Sequence, residues 1–146
     1  MSSKNTELDK IDKFLEKHVL KKTLLRRGIL LALAEAQGPL TQAELIDRLS
    51  KNNLKIDRVS VYRNLSSLKD AGIIHEVDSN NYVFCSHECD AHAHLLLFCQ
   101  RCYRHQEIKD HAKVSQFMQT LSGFRFFGKK QPLFLKGVCS GCTINS

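Results

Sequence analysis

Two Cys-x-x-Cys pairs are the residues with the clearest chemistry in this sequence. Cys99 and Cys102 form the first cysteine pair, and Cys139 and Cys142 form the second. Four thiolates complete a tetrahedral zinc site, which leaves no coordination position open for a substrate. The 36 residues between the pairs exceed the spacing of a compact zinc ribbon. We therefore predict a structural zinc ion that joins the end of a subdomain to its start.

A looser group of metal-binding residue types flanks residues 86–91, a segment whose composition indicates a hinge. The members of this group are His75, Cys85, His92, His94 and Glu107. A metal ion bound by them would join the regions on both sides of the hinge. Metal binding would then favour one of two conformations of the protein. A thiolate combined with imidazoles favours zinc over iron or manganese, which prefer harder ligands. His105 and His111 form a candidate auxiliary site.

Apolar residues at helical spacing predict four helices in the first half of the chain. These helices cover residues 7–20, residues 24–36, a segment that begins at Thr41, and residues 58–71. The expected buried side of the first carries Leu8, Ile11, Leu15 and Val19, and that of the fourth carries Val61, Leu65 and Leu68. Thr41 with Glu44 has the pattern of a capping box, Asp57 is placed to cap the fourth helix, and Gly72 to end it. Two short strands follow, at residues 73–77 and 82–85. This order predicts a winged helix-turn-helix domain over residues 1–85.

The second half of the chain, residues 92–146, predicts a small α/β domain. Its expected strands cover residues 95–99, 103–108, 124–127 and 133–138. A helix is expected over residues 110–121, with a buried side made of Val114, Phe117, Met118 and Leu121. The fold class is therefore α+β, with a winged helix-turn-helix domain, a hinge at residues 86–91 and an α/β dimerisation domain that carries the four-cysteine zinc site.

The outward face of the fourth helix is suited to bind double-stranded DNA. It carries Arg58, Ser60, Tyr62 and Arg63. Arginine suits bidentate bonding to guanine, and the hydroxyls of Ser and Tyr suit phosphates. Because helix-turn-helix proteins bind operators as dimers, we expect a homodimer on operator DNA. The alternatives are an ordinary solvated helix, or a zinc-binding adaptor that contacts protein.

Charge and hydropathy narrow the class of protein further. The formal net charge of +7 permits a polyanionic partner without requiring one. The longest aliphatic run, Ile29–Ala34, is too short to cross a bilayer, and the N-terminus lacks the apolar core of a signal peptide. We therefore expect a cytoplasmic protein without a membrane partner. Its six cysteines would be reduced there, which favours metal sites over a disulfide scaffold.

An enzyme is the remote alternative. His105-Gln-Glu107 followed by the second cysteine pair approaches the pattern of a zinc-dependent deaminase. Val138, however, replaces the proline of that pattern, and the first cysteine pair would have no role. We therefore predict that the protein has no catalytic residues and no small-molecule substrate.

Several segments in a fixed order resemble the ferric uptake regulator family of metal-dependent repressors. They are Val59-Ser-Val-Tyr-Arg-Asn-Leu65, Ala71-Gly72-Ile-Ile74, Tyr82-Val-Phe-Cys85, His92-Ala-His94, Cys99-Gln-Arg-Cys102 and Cys139-Ser-Gly-Cys142. Together they span nearly the whole chain. A cysteine at the end of the wing, here Cys85, is typical of the zinc uptake regulators within this family.

The resemblance implies two zinc ions per protomer, one structural and one regulatory. The four paired cysteines would hold the structural ion, and the sensing ion would be bound by His75, Cys85, His92 and Glu107. His94 would either replace His92 or bind beside it. The resemblance also implies a homodimer joined by its C-terminal sheet, which binds AT-rich palindromic operators when zinc is replete and represses zinc uptake genes. Tyr62 and Arg63 match the family's base- and phosphate-contacting pair. A regulator of the same family that senses iron, manganese or peroxide is the nearest alternative.

Overall fold

The structure is a computed structural model, and it describes residues 2–51, 56–85, 95–108, 110–125 and 133–143. The chain divides into two compact units, unit 1 at residues 1–86 and unit 2 at residues 87–146. Within the part of the chain that the structure describes, each unit forms its own three-stranded sheet. The mixture of helices and sheets confirms the predicted α+β fold class.

The described residues of unit 1 form four helices and three strands. The helices are α1 (Ser2–Lys17), α2 (Leu24–Ala34), α3 (Gln42–Ser50) and α4 (Arg58–Asp70), and the strands are β1 (Leu40–Thr41), β2 (Ile74–Asp78) and β3 (Asn81–Phe84). The strands lie in the order β1-β3-β2, and both pairs are antiparallel. Strand β1 is absent from the sequence prediction, because two residues are too few to show an alternating pattern.

The core of unit 1 is built from one apolar stripe of each helix and from the hairpin. The fully buried side chains include Ile11 and Leu15 of α1, Ile29 and Leu30 of α2, Leu45 and Leu49 of α3, and Val61, Leu65 and Leu68 of α4. Burial of each such side chain contributes about 1.5–3 kcal/mol relative to exposure. The predicted buried stripe of α4 is therefore confirmed.

The helix ends in unit 1 follow from side-chain caps and left-handed residues. Thr41 and Glu44 form the predicted capping box, in which Thr41 Oγ1 accepts from the Glu44 N–H at 3.2 Å and the Glu44 carboxylate accepts from the Thr41 N–H at 2.7 Å. Asp57 caps α4 as predicted. Gly72 ends that helix with φ +75°, and the Ile73 N–H then donates to the Leu68 carbonyl at 3.0 Å.

Helix α1 differs from its prediction at both ends. It begins at Ser2 and ends at Lys17, and Val19, which we expected on the buried side, is 92% exposed. The reason is a left-handed cap: Val19 has φ 56°, and the Leu20 N–H donates to the Leu15 carbonyl at 2.8 Å. This cap directs Leu20 against the core instead of Val19. Helix α2 also ends before its prediction, at Ala34.

Unit 2 contains a mixed sheet, and a helix connects its second and third strands in chain order. Its elements are β4 (Leu95–Cys99), β5 (His105–Ile108), α5 (His111–Ser122), β6 (Leu133–Gly137) and the short α6 (Ser140–Thr143). The order is β5-β4-β6, with β4 antiparallel to β5 and parallel to β6. Among the described residues, none of the helices combines the length and the apolar character that a membrane crossing needs.

Two expectations for unit 2 are corrected by the structure. Val114 is buried, but Phe117 is 52% exposed, so the predicted buried side of α5 is only partly buried within one chain. The strand expected at residues 124–127 is not found in its described part, because Phe124 and Arg125 lie in a turn after α5. Residues 126 and 127 lie outside the described residues.

We expect Thr41→Ala to destabilise unit 1 by about 1 kcal/mol, because the capping box is lost. Bonds from the Thr41 backbone N–H and then from the Thr41 hydroxyl lower the pKa of Glu44, and Thr41→Ala removes the hydroxyl bond. The stabilisation from that bond is present above the unfolded pKa of Glu44 and is lost as pH falls through the lower folded pKa. The difference from wild type should therefore narrow between pH 7 and pH 3. Urea unfolding followed by circular dichroism measures it, with Thr41→Ser as the matched control. An equal difference at both pH values would contradict the contribution of Glu44.

Candidate metal centre and nucleic-acid interface

The parallel pairing of β4 with β6 brings the two cysteine pairs together. Cys99 is the last residue of β4 and lies opposite Gly137, the last residue of β6. Because parallel strands end at the same edge of a sheet, the turn after β4 and the segment after β6 meet there. The first segment carries Cys102, and the second carries Cys139 and Cys142.

The four sulfur atoms have the spacing of a tetrahedral zinc site. They all lie within 4.8 Å of one another, and they form the one such cluster of metal-binding side chains among the residues that the structure describes. The Sγ atoms of Cys102 and Cys139 are 3.8 Å apart. Zinc–sulfur bonds of about 2.3 Å give a tetrahedron with edges of about 3.8 Å. The donor set and its size therefore fit zinc.

Backbone and side-chain hydrogen bonds hold the two cysteine segments against each other. The Cys139 N–H donates to Cys99 Sγ at 3.3 Å, and the Gln100 N–H donates to the Gly137 carbonyl at 2.8 Å. Arg101 Nη1 donates to the Cys142 carbonyl at 2.7 Å. Hydrogen bonds to the backbone therefore hold the two cysteine segments in place. Arg101 adds a link between the segments that the spacing of the cysteines does not reveal.

The acidities of the thiols also match a cation site. Backbone N–H groups of Cys102 and Cys139 lower the pKa of Cys99 to about 6, so this buried sulfur is held as a thiolate. The neighbouring sulfur atoms, first Cys139, raise the pKa of Cys142 to about 12. Without a bound cation, deprotonation of all four thiols is unfavourable. A dication would make it favourable, because it binds all four sulfur atoms as thiolates.

The predicted sensing residues are divided between the two units. His75 lies on β2 and Cys85 directly after β3, whereas Glu107 lies on β5 of unit 2. His75 is opposite Val83, and Cys85 is two residues beyond Val83, so His75 and Cys85 share one face of the hairpin. Cys85 is only 4% exposed. His92 and His94 lie outside the described residues.

The candidate auxiliary pair is described in part. His105 lies on β5, and burial lowers the pKa of its imidazole. Within the described part of the chain, His105 Nδ1 has no hydrogen-bond partner. The side chain of His111 lies outside the description. This pair therefore stays a prediction.

The outward face of α4 presents the expected nucleic-acid contacts with one change. Arg58 and Arg63 are exposed, and Tyr62 is 61% exposed. The Ser60 hydroxyl, which we expected to face phosphates, is half-buried and donates to the Asp57 carboxylate. Ser60 thus contributes to the helix cap in this structure, and it lowers the pKa of Asp57.

Contacts from other helices orient α4. Gln42 Nε2 of α3 donates to the Arg58 carbonyl at 3.3 Å, and Arg26 Nη2 of α2 donates to Ser67 Oγ at 3.4 Å. Arg27 of α2 in turn forms two hydrogen bonds, of 2.8 and 2.7 Å, with the Asp12 carboxylate of α1. Sequence reasoning missed these links, because they join residues at distant positions without a periodic signal.

Comparison with known proteins gives a consistent result. The model of the ferric uptake regulator family matches residues 17–127. The chain is 27% identical to a ferric uptake regulation protein of Staphylococcus epidermidis, over 92% of this chain and 95% of the relative. It is also 27% identical to the zinc uptake regulation protein of Escherichia coli strain K12, over 93% of this chain and 81% of the relative.

A solved structure is similar over almost the full length. It is described as a zinc uptake regulator complexed with zinc and DNA, and it is 25% identical to this chain. The alignment covers 99% of this chain and 98% of that chain, with a TM-score of 0.79.

We expect Cys139→Ser to remove the metal ion of the four-cysteine site and to abolish the cooperative thermal transition of unit 2, because binding of a structural metal supplies folding free energy. Metal content by elemental analysis and thermal unfolding by circular dichroism measure the two effects. Ser140→Ala, at the exposed neighbouring position, is the matched control and should leave both unchanged. Full metal content in Cys139→Ser would contradict the four-cysteine site.

Proposed function

The chain belongs to the ferric uptake regulator family, and from this premise we propose that it is a zinc-responsive repressor that binds palindromic operator DNA as a homodimer and controls zinc uptake genes. Membership in a family of regulators confirms the prediction that the protein is not an enzyme, and the deaminase alternative is set aside. We place the regulator in the cytoplasm, where its DNA would lie and its thiols stay reduced.

The observation that carries the DNA-binding proposal is the exposed face of α4 within a helix-turn-helix and hairpin frame. Arg58, Tyr62 and Arg63 are exposed there, while the opposite side of the helix is buried in the core. Such a helix fits the major groove, with its N-terminal half toward the base edges. The similar zinc uptake regulator was solved with DNA, which supports DNA binding by this chain.

Zinc is the proposed signal because of the ligands available on the hairpin. Cys85 supplies a soft thiolate on the same face as the His75 imidazole, and this combination favours zinc over iron or manganese. His92 and Glu107 complete the proposed sensing set, with His94 as a further candidate. Identity alone does not separate the metals, since the iron and zinc relatives named above are equally similar to the chain.

A second zinc ion per protomer is proposed at the four-cysteine site, with a structural role. Its four sulfur ligands leave no open coordination position, so this ion would have no chemical step to perform. When bound at the sensing site, zinc would join residues from both sides of the hinge segment. Because coupling between sites is reciprocal, zinc would tighten DNA binding and DNA would tighten zinc binding by the same factor.

The homodimer is proposed on the apolar surface of unit 2. Phe117 is 52% exposed, Leu135 is 56% exposed and Phe124 is 78% exposed. Large apolar side chains that stay exposed in one chain are typical of association surfaces. A dimer interface that covers these side chains would bury Phe117, as the apolar spacing along α5 predicts.

We expect zinc-selective DNA binding that depends on Arg63. Fluorescence anisotropy of a labelled AT-rich palindromic duplex, at buffered free zinc, iron or manganese, should show binding that rises with zinc. Arg63→Ala should weaken it by about fivefold to 150-fold, because a bidentate base contact is worth about 1–3 kcal/mol. Arg125→Ala, an exposed arginine of unit 2, is the matched control. Equal affinity of Arg63→Ala and wild type would contradict the assignment of α4, and binding independent of metal would contradict the zinc response.

We expect Cys85→Ala to shift the zinc midpoint of DNA binding to higher free zinc, while one metal ion per protomer stays bound at the paired cysteines. The reason is that the variant loses the thiolate of the sensing set but none of the four paired cysteines. Val83→Ala, which removes a neighbouring buried side chain of the same hairpin face, controls for destabilisation. An unchanged midpoint in Cys85→Ala would show that this thiolate is not a ligand of the sensed metal.

A further inference from the structure

The carboxylate of Glu76 joins two parts of unit 1 that are separate in sequence. Its Oε2 accepts from Lys69 Nζ at 2.9 Å, and Lys69 lies in the last turn of α4. Its Oε1 accepts from the backbone N–H of Asn80 at 3.1 Å, in the turn between β2 and β3. The two oxygens of one side chain thus hold the helix end and the hairpin turn at the same time.

The hairpin needs such a support near its turn. The register of β2 against β3 shifts between Glu76 and Asp78, and Asn80 adopts a left-handed φ of 64°. A bulge followed by a left-handed turn residue bends and twists the end of a hairpin. The side-chain bond from Glu76 to the Asn80 N–H fixes the direction of that bend.

From these contacts we infer that Glu76 is a positioning residue for DNA binding, which fixes the turn of the β2–β3 hairpin against the last turn of α4. The inference rests on the proposed function, in which the exposed face of α4 binds DNA. Glu76 itself would not contact DNA, because its negative charge would be repelled by phosphates. Its effect on affinity would come from holding α4 and the hairpin turn in one arrangement before binding, which lowers the ordering cost.

A positioning role and simple electrostatics predict opposite changes in DNA affinity when the Glu76 charge is removed. Removal of a negative charge from a protein that binds a polyanion would tighten binding if charge alone mattered. The loss of a positioning contact would weaken it. A partly exposed ion pair is worth up to about 1 kcal/mol, so the expected loss in Glu76→Ala is about three- to fivefold in affinity.

The test uses full-length, zinc-loaded protein and the labelled AT-rich palindromic duplex, with dissociation constants from fluorescence anisotropy at several salt concentrations. Glu76→Ala should bind about three- to fivefold more weakly with an unchanged salt slope, because no phosphate contact is lost. Glu76→Gln should lose less, since its amide oxygen still accepts the Asn80 N–H. Glu7→Ala removes a carboxylate whose partner, Lys10, lies in its own helix, and it should not weaken binding.

A double-mutant cycle separates two roles of Lys69, namely a direct contact with DNA and an indirect effect through its ion pair with Glu76. If Lys69 acts through Glu76, Lys69→Met should weaken binding in wild type and have little further effect in Glu76→Ala. Additive losses would overturn the inference, as would affinity in Glu76→Ala and Glu76→Gln equal to or higher than in wild type. Thermal unfolding shows whether Glu76→Ala folds, and Glu76→Gln decides the outcome if it does not. Failure of wild type to bind the duplex at any zinc concentration would overturn the proposed function instead.

Discussion

The parallel pairing of β4 with β6 is the constraint on which unit 2 depends. Parallel neighbours require a long connection, and here that connection contains β5 and α5. The pairing places both cysteine pairs at one edge of the sheet, although 36 residues separate them. A metal ion at that edge would hold the two ends of this connection together. The β4–β6 pairing and the metal centre would therefore stabilise the same approach of the two cysteine pairs.

Unit 1 depends on the burial of one side of α4. The buried side fixes the rotation of the helix, and this rotation leaves Tyr62 and Arg63 exposed. Hydrogen bonds from Arg26 of α2 and Gln42 of α3 join the helix to its neighbours, and Glu76 connects its last turn to the hairpin. The same hairpin carries His75 and Cys85, so these two proposed sensing residues belong to the same compact unit as the proposed DNA contacts, whereas Glu107 lies in unit 2.

The differences between prediction and structure have local causes. Val19 and Leu20 are both apolar, and spacing alone placed Val19 on the buried side of α1. The left-handed cap reverses this choice, because it is the Leu20 N–H that reaches back to the helix. Phe117 illustrates a different limit, since its helical spacing indicates burial although it is exposed within one chain. An association surface and a core have the same apolar pattern in sequence.

The sequence by itself determined the fold class, the caps of α3 and α4, the buried stripe of α4 and the identity of the four paired cysteines. These features depend on local spacing and on residue type, which are both visible in a linear chain. The tertiary structure decided the approach of the four sulfur atoms to within 4.8 Å, the engagement of Ser60 by Asp57, and the bridge formed by Glu76. The sulfur cluster joins residues distant in sequence, whereas the Glu76 bridge and the Ser60 contact join nearby residues through side-chain rotamers. Distances and rotamers of this kind are set by packing, which no periodic pattern in the sequence records.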